Sequence, residues 1–446
     1  MPNPIADVST GTGQSLYRRA KELIPGGTQL LSKRPEMFLP EQWPAYYSRA
    51  KGCRVWDMDG RELIDMSYMG IGACLLGYAD DDVNDAVVEC VRAGSMSTLN
   101  VPEEVELADL LCEIHPWAQM VRYARSGGEA MAIAVRIARA FTSKPVVAIC
   151  GYHGWADWYL AANLGSESAL DGHLLPGLSP AGVPRSLQGS TLTFRFNNLQ
   201  ELQQIQNQHG LQLAAVVMEP MRHDKPKDGF LEGVRGVVDA CGAVLIFDEI
   251  TSGWRFNLGG VHLDFGVPPD IAVFAKATSN GFPMSAIIGR QHAMQAAQES
   301  FISSTNWTER IGPVSALATI RKMRRVGLPD RLKTTGLAVH EGWRRLASKH
   351  HLNLAVQGQP ALSTFTLQYG DQSQAMRTLF TQELLDRGFL ANSSFYACLA
   401  HDSESISAYL SACDEAFASL ASAADGGDVL RRLRGPVAQS GFQRLT

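Results

Sequence analysis

Between about residue 120 and residue 290 the chain alternates short, wholly apolar runs with stretches of helical periodicity, and few folds accept that pattern. The runs are VVAIC (146–150), LAAVVME (213–219), AVLIFDE (243–249) and IAVFAK (271–276). The helical stretches include EAMAIAVRIARAF (129–141) and GVRGVVDACG (233–242). A strand with one wet face alternates apolar and polar residues; these runs do not, so both of their faces must be covered. The pattern predicts an α/β fold with a mostly parallel central sheet flanked by helices.

The flanks have a different texture. Residues 1–14 are polar, read as disordered, and lack the apolar core of a signal peptide. Residues 15–24 read as a short amphipathic helix stopped by Pro25-Gly26-Gly27. Residues 44–67 read as strands around an Asp59-Gly60 turn. Helices are expected near 80–94 and 103–115, over 313–346, and near 403–424. The division that follows is an N-terminal segment 1–75, a large domain 76–320 and a C-terminal segment 321–446. The two end segments together make a smaller α+β domain. The stretch 164–190, rich in Gly, Ser and Pro, interrupts the sheet pattern and has the length of a mobile active-site loop.

Several function classes are disfavoured. The 446 residues carry 40 Lys and Arg against 45 Asp and Glu, a net charge of −5, and no basic face suggests a nucleic-acid partner. No apolar run reaches the roughly 18 residues of a membrane span. Eight cysteines are scattered singly, which reads as reduced core thiols in a cytoplasmic protein. There is no H-E-x-x-H or clustered Cys/His set for a metal, and no G-x-S-x-G elbow. Asp248-Glu249 has the look of a Walker-B acid, but the G-x-x-x-x-G-K-[ST] loop it requires is missing.

In a parallel sheet, ligands collect beyond the carboxyl ends of the strands. Four polar groups close the apolar runs there: Tyr152 and His153, Glu219, Asp248, and Lys276. Each has a bland reading, as a packed tyrosine, a helix cap or a snorkelling lysine. Lys276 is the odd one, because ATSNGFPMSAIIG gives it little polar company. A desolvated amine loses its proton readily and attacks aldehydes. Ser126-Gly127-Gly128 opens a helix, where exposed N–H groups and the helix dipole favour a phosphate. A phosphate cradle, an aromatic plate, an acid and a nucleophilic amine are together what pyridoxal 5'-phosphate requires.

With these residues in place, the sequence resembles the class III aminotransferases of pyridoxal-phosphate fold type I, and among them glutamate-1-semialdehyde 2,1-aminomutase and its relatives. The likeness runs over roughly residues 15–446. It rests on LIPGG (23–27), RVWDMDGRELIDM (54–66), RSGGEAMAIAVRIARAF (125–141), GYHG (151–154), MEP (218–220), FDEITSGWRFNLGG (247–260), the lysine segment and CLAHDSESI (398–406). The resemblance implies that Lys276 holds the cofactor through a Schiff base and shuttles the proton. It implies that Asp248 pairs with the pyridinium nitrogen, and that Ile250 and Tyr152 cover the two ring faces. Ser126, Gly127 and Gly128 would hold the phosphate, and Glu219 and His153 would line the side of the ring hydroxyl. Thr308 would reach the phosphate of a neighbouring subunit, implying a homodimer whose sites are shared and lie in the crevice between its domains.

The departures bear on substrate. After Pro-Gly-Gly the aminomutase places an arginine for the substrate carboxylate; here Thr28-Gln-Leu-Leu-Ser-Lys33-Arg34 stands there, so a basic group survives without a fixed register. Its Gly-Asn-Pro is replaced by Ile311-Gly312-Pro313. These changes favour a transaminase with separate small-molecule donor and acceptor, the acceptor a keto or aldehyde compound such as a sugar or sugar acid. The alternative is the intramolecular aminomutase. A non-catalytic relative would have no need to keep both Lys276 and Asp248.

Overall fold

A computed structural model describes residues 11–441, apart from 167, 174, 175 and 222. The chain forms two compact units: one takes residues 81–329, the other the chain on either side of it. Strands are numbered here in chain order.

The flanking unit begins with a helix, Thr12–Leu23. Residues 12–14 are therefore helical rather than disordered, and residues 1–10 of that expectation lie outside the described residues. Next come β1 (Tyr47–Lys51), β2 (Arg54–Asp57) and β3 (Glu62–Asp65), paired antiparallel in that order. The Asp59-Gly60 turn closes because the Asp57 carboxylate accepts from the Asp59 and Arg61 amides at 3.0 and 2.9 Å.

The large unit is built on seven strands: β4 (Met120–Ala124), β5 (Val146–Cys150), β6 (Thr191–Thr193), β7 (Leu213–Met218), β8 (Val244–Asp248), β9 (Ile271–Phe274) and β10 (Ser285–Gly289). Their order is β4-β10-β9-β8-β7-β5-β6. β10 runs antiparallel to β4 and β9, and the pairs from β9 through β6 are parallel. The four predicted runs form the middle of the sheet. Along β5, Val147 and Ile149 face one core, with helix Gly127–Thr142 packed on it. Val146, Ala148 and Cys150 face the other, with helices Leu199–His209 and Phe230–Cys241. Burial on both sides is why these strands show no alternation.

The rest of the flanking unit holds β11 (Leu354–Gln357), β12 (Leu362–Leu367), β13 (Phe389–Leu390) and β14 (Ser394–Tyr396). β13 adds parallel to β3, and β11-β12-β14 form a separate antiparallel sheet. The basic stretch 313–346 is helical as expected, in two helices, Ile311–Val326 and Leu328–Lys349, divided at Gly327, which takes a left-handed φ of 59°.

In the stretch 164–190 most described residues are exposed, with Leu164, Leu170 and Val183 buried among them. Leu170 is fully buried, and Asn163 bonds the Leu170 amide at 3.0 Å and the Leu178 carbonyl at 2.6 Å. All eight cysteines are free thiols. Among the described residues no helix is long and apolar enough to cross a membrane.

Candidate active site

The parallel strands deliver their polar ends to one edge of the sheet. Ser126 follows β4 by two residues, Tyr152 and His153 follow β5, Glu219 follows β7, Asp248 ends β8, and Lys276 follows β9 by two. β8 and β9 are neighbours, with Asp248 paired to Val273, so the acid and the amine leave adjacent strands.

Asp248 is only 3% exposed. One carboxylate oxygen accepts from the Ile250 amide at 3.0 Å, the other from His153 Nδ1 at 2.8 Å. The second nitrogen of His153 lies 3.2 Å from the Cys150 carbonyl, so both ring nitrogens face acceptors. His153 therefore sits against the acid, its ring held between Asp248 and the Cys150 carbonyl. The sequence shows that a histidine follows β5; which strand end it turns towards is decided in three dimensions.

Lys276 is held in the left-handed region at φ 45°, a conformation that side-chain-bearing residues rarely keep without surrounding support. The support is visible. The turn Lys276–Ser279 closes through Thr278 N to the Ala275 carbonyl at 3.0 Å, and Trp254 Nε1 donates to Thr278 Oγ1 at 3.1 Å. The lysine Nζ donates to Thr251 Oγ1 at 2.8 Å. Thr251 was not among the residues singled out by sequence, although it lies within FDEITSGWRFNLGG directly after Ile250.

The helix Gly127–Thr142 starts at this edge. Glu129 accepts from the Ser126 amide at 3.0 Å, so the amides of Gly127 and Gly128 are the first-turn donors left to a ligand. Gly127 is packed so closely that a Cβ would fall 2.8 Å from Ile250 Cδ1. The GYHG turn leans on the same helix start: Gly154 has φ 101°, and a Cβ there would come within 3.1 Å of Gly128 Cα. Tyr152 and Ile250 both border the core beneath the helix. His173, from the 164–190 stretch, pins the turn by accepting from the Gly151 amide at 2.9 Å. Burial lowers the His173 pKa, which preserves that acceptor.

A second buried network braces the turn after β8. Glu249 accepts from the His262 amide at 3.0 Å and from its Nδ1 at 2.7 Å, and also from Ser252 Oγ. His262 Nε2 in turn accepts from Trp117 Nε1 at 2.9 Å. Burial pushes the Glu249 carboxyl up, but these donors outweigh it and hold the pKa below the usual value.

Thr308 is exposed; its hydroxyl donates to the Thr305 carbonyl at 2.9 Å and lies 3.7 Å from Met96 Sδ. Lys33 and Arg34 belong to the flanking unit, where Lys33 is exposed and the Arg34 guanidinium lies against Gly26. Among the described residues no group of three or more His, Cys, Asp or Glu could hold a metal ion.

Comparison with known proteins gives a consistent result. The family model "Aminotransferase class-III" matches residues 40–397. A glutamate-1-semialdehyde 2,1-aminomutase of Methanothermobacter thermautotrophicus is 32% identical over 91% of this chain and 99% of its own. A 3-aminobutyryl-CoA aminotransferase of Cloacimonas acidaminovorans is 30% identical over 91% and 96%. Among solved structures, a transaminase with pyridoxal phosphate bound superposes with a TM-score of 0.81, at 25% identity, over 92% of this chain and 98% of the other.

Proposed function

This chain belongs to the class III aminotransferases, and from that premise we propose that it moves an amino group from a donor to a separate keto or aldehyde acceptor, with Lys276 as the amine that holds the cofactor. The observation that carries this reading is the pairing of strand ends: a buried, histidine-backed Asp248 on β8 beside Lys276 after β9. The cofactor is pyridoxal 5'-phosphate. When bound it supplies an aldehyde that takes up the amine and a ring that draws electrons from the carbon being deprotonated.

The donor set fits that molecule. A primary amine serves its aldehyde, a buried carboxylate its ring nitrogen, and the Ser126 hydroxyl with the Gly127 and Gly128 amides its phosphate. Asp248 keeps a proton on the ring nitrogen, with His153 holding the carboxylate in place. Tyr152 and Ile250 would cover the two ring faces, and Glu219 would line the side of the ring hydroxyl. Lys276 Nζ would take the proton from the substrate carbon and return it one position away, the general acid–base role of a positioned amine.

The acceptor is a keto or aldehyde compound, sugars and sugar acids among the candidates, with Lys33 and Arg34 the cations for an anionic group. A second reading, the intramolecular aminomutase, is favoured by the 32% identity to an aminomutase. We also propose a cytoplasmic homodimer. The eight free thiols suit a reducing compartment. Leu99 at 79% exposed and Phe301 at 90% are apolar groups that a second copy would cover. Thr308 beside Met96 would then reach the partner's phosphate.

The test is the visible absorbance of the cofactor-loaded protein on addition of single donors such as glutamate, alanine or a diamine. Bleaching of the aldehyde-derived band by one donor, without acceptor, establishes the half-reaction. A band that responds only to a bifunctional amino-aldehyde supports the aminomutase. No band after adding the cofactor overturns both.

A further inference from the structure

We infer that Thr251 is a positioning residue for Lys276, its hydroxyl fixing where the amine stands whenever the lysine is not bonded to the cofactor. The inference rests on the assignment of Lys276 above. The contact is direct, Nζ to Oγ1 at 2.8 Å, and Thr251 is only 5% exposed, so bulk water does not compete strongly for either group.

The hydroxyl is itself fixed from behind. The Thr251 carbonyl accepts from Arg255 Nε at 2.7 Å, and Arg255 is 1% exposed. The turn that carries both closes through Gly253 N to the Glu249 carbonyl at 2.8 Å and Trp254 N to the Gly259 carbonyl at 2.8 Å. Two bonds thus join the turn after β8 to the turn after β9. One runs through Lys276 to Thr251, the other through Trp254 to Thr278. The second stays when the lysine leaves the first, so Thr251 keeps its place while the amine moves.

A hydroxyl suits this task because it both accepts and donates. It accepts from an ammonium and donates to a neutral amine, so it holds Lys276 in either state. Valine has the same shape and does neither. The ionisable groups on the turn with Thr251 are Asp248, engaged by His153; Glu249, engaged by His262; and Arg255. The segment from Ala277 to Ser285 has none. The bond from the ammonium is charge-assisted and the stronger of the two, so the hydroxyl favours the charged form and removing it lowers the amine's pKa.

The experiment compares full-length wild type, Thr251→Val and Thr251→Ser. Each is labelled with acetic anhydride across a pH series, with and without pyridoxal phosphate, and Lys276 modification is read by peptide mass. Cofactor should protect Lys276 in all three. Without cofactor, the labelling midpoint of Thr251→Val should fall by about one pH unit, roughly a tenfold gain in reactivity at neutral pH, while Thr251→Ser stays at the wild-type midpoint. In the loaded enzymes, Thr251→Val should lose about tenfold or more in kcat with donor KM little changed, and Thr251→Ser should recover it. Thermal unfolding of each variant checks that the fold is intact. If Thr251→Val labels like wild type, or Thr251→Ser fails as Thr251→Val does, the inference is wrong. If cofactor leaves Lys276 unprotected in wild type, the assignment of Lys276 fails instead.

Discussion

Lys276 and Asp248 were legible as residues because a charged group that closes an apolar strand has few uses. Thr251 and His173 were not, since their roles come from approaches across 25 and 22 positions of sequence that no local pattern encodes. Lys276→Ala should still bind the cofactor yet lose transamination by about 10³-fold or more, measured as single turnover with the best donor. Asp248→Asn should cut turnover by about a hundredfold or more and weaken cofactor retention, seen by absorbance after gel filtration. A buried histidine away from the chemistry gives a pH prediction. His115 donates from Nδ1 to the Leu111 carbonyl at 2.9 Å and accepts at Nε2 from the Gly260 amide at 3.0 Å, so it is neutral. Burial lowers its pKa from 6.5 to about 4. With the folded value depressed, its contribution to stability is complete above about pH 6.5 and is lost as pH falls towards 4. The wild type should therefore lose up to about 3 kcal/mol across that window that His115→Asn does not lose, by calorimetry at stepped pH. Parallel curves for the two proteins would refute it.

At the scale of elements, the middle of the sheet could be read and its margins could not. The central strands are covered on both faces and carry unbroken apolar runs. β4 carries Arg122 at a sheet edge and β6 has three residues at the other edge, so neither has that signature; β10, SAIIG, is buried throughout, and its antiparallel direction is not written in its composition. The turns after the strands are where the site is shaped, and their glycines set the tolerances. Gly154→Ala would place a methyl 3.1 Å from Gly128 Cα at a φ of 101°. It should cost about 1–3 kcal/mol and push the helix start out of line, weakening cofactor affinity in the same variant. Thermal unfolding and cofactor titration check both effects. A stable variant with wild-type affinity would show that the GYHG turn does not set the cradle.

For the whole molecule, the resemblance carried the family and the cofactor, because its motifs run in order along nearly the entire chain. Substrate was not carried with them, since the sequence departs from the aminomutase pattern around Lys33 and Arg34 and at 311–313. Assembly gives the prediction at this scale. If the proposed homodimer covers the exposed Leu99 and Phe301, Leu99→Asp with Phe301→Asp should yield a monomer in sedimentation, because each charge would be buried against a partner's apolar surface. That monomer should also release cofactor faster if Thr308 completes the neighbouring site. A double variant that remains dimeric would place the interface elsewhere.

The most direct measurement is borohydride reduction of the cofactor-loaded protein followed by peptide mass mapping. The account predicts a single stable adduct on the peptide containing Lys276, absent from Lys276→Ala. An adduct on another lysine, or none, would contradict it.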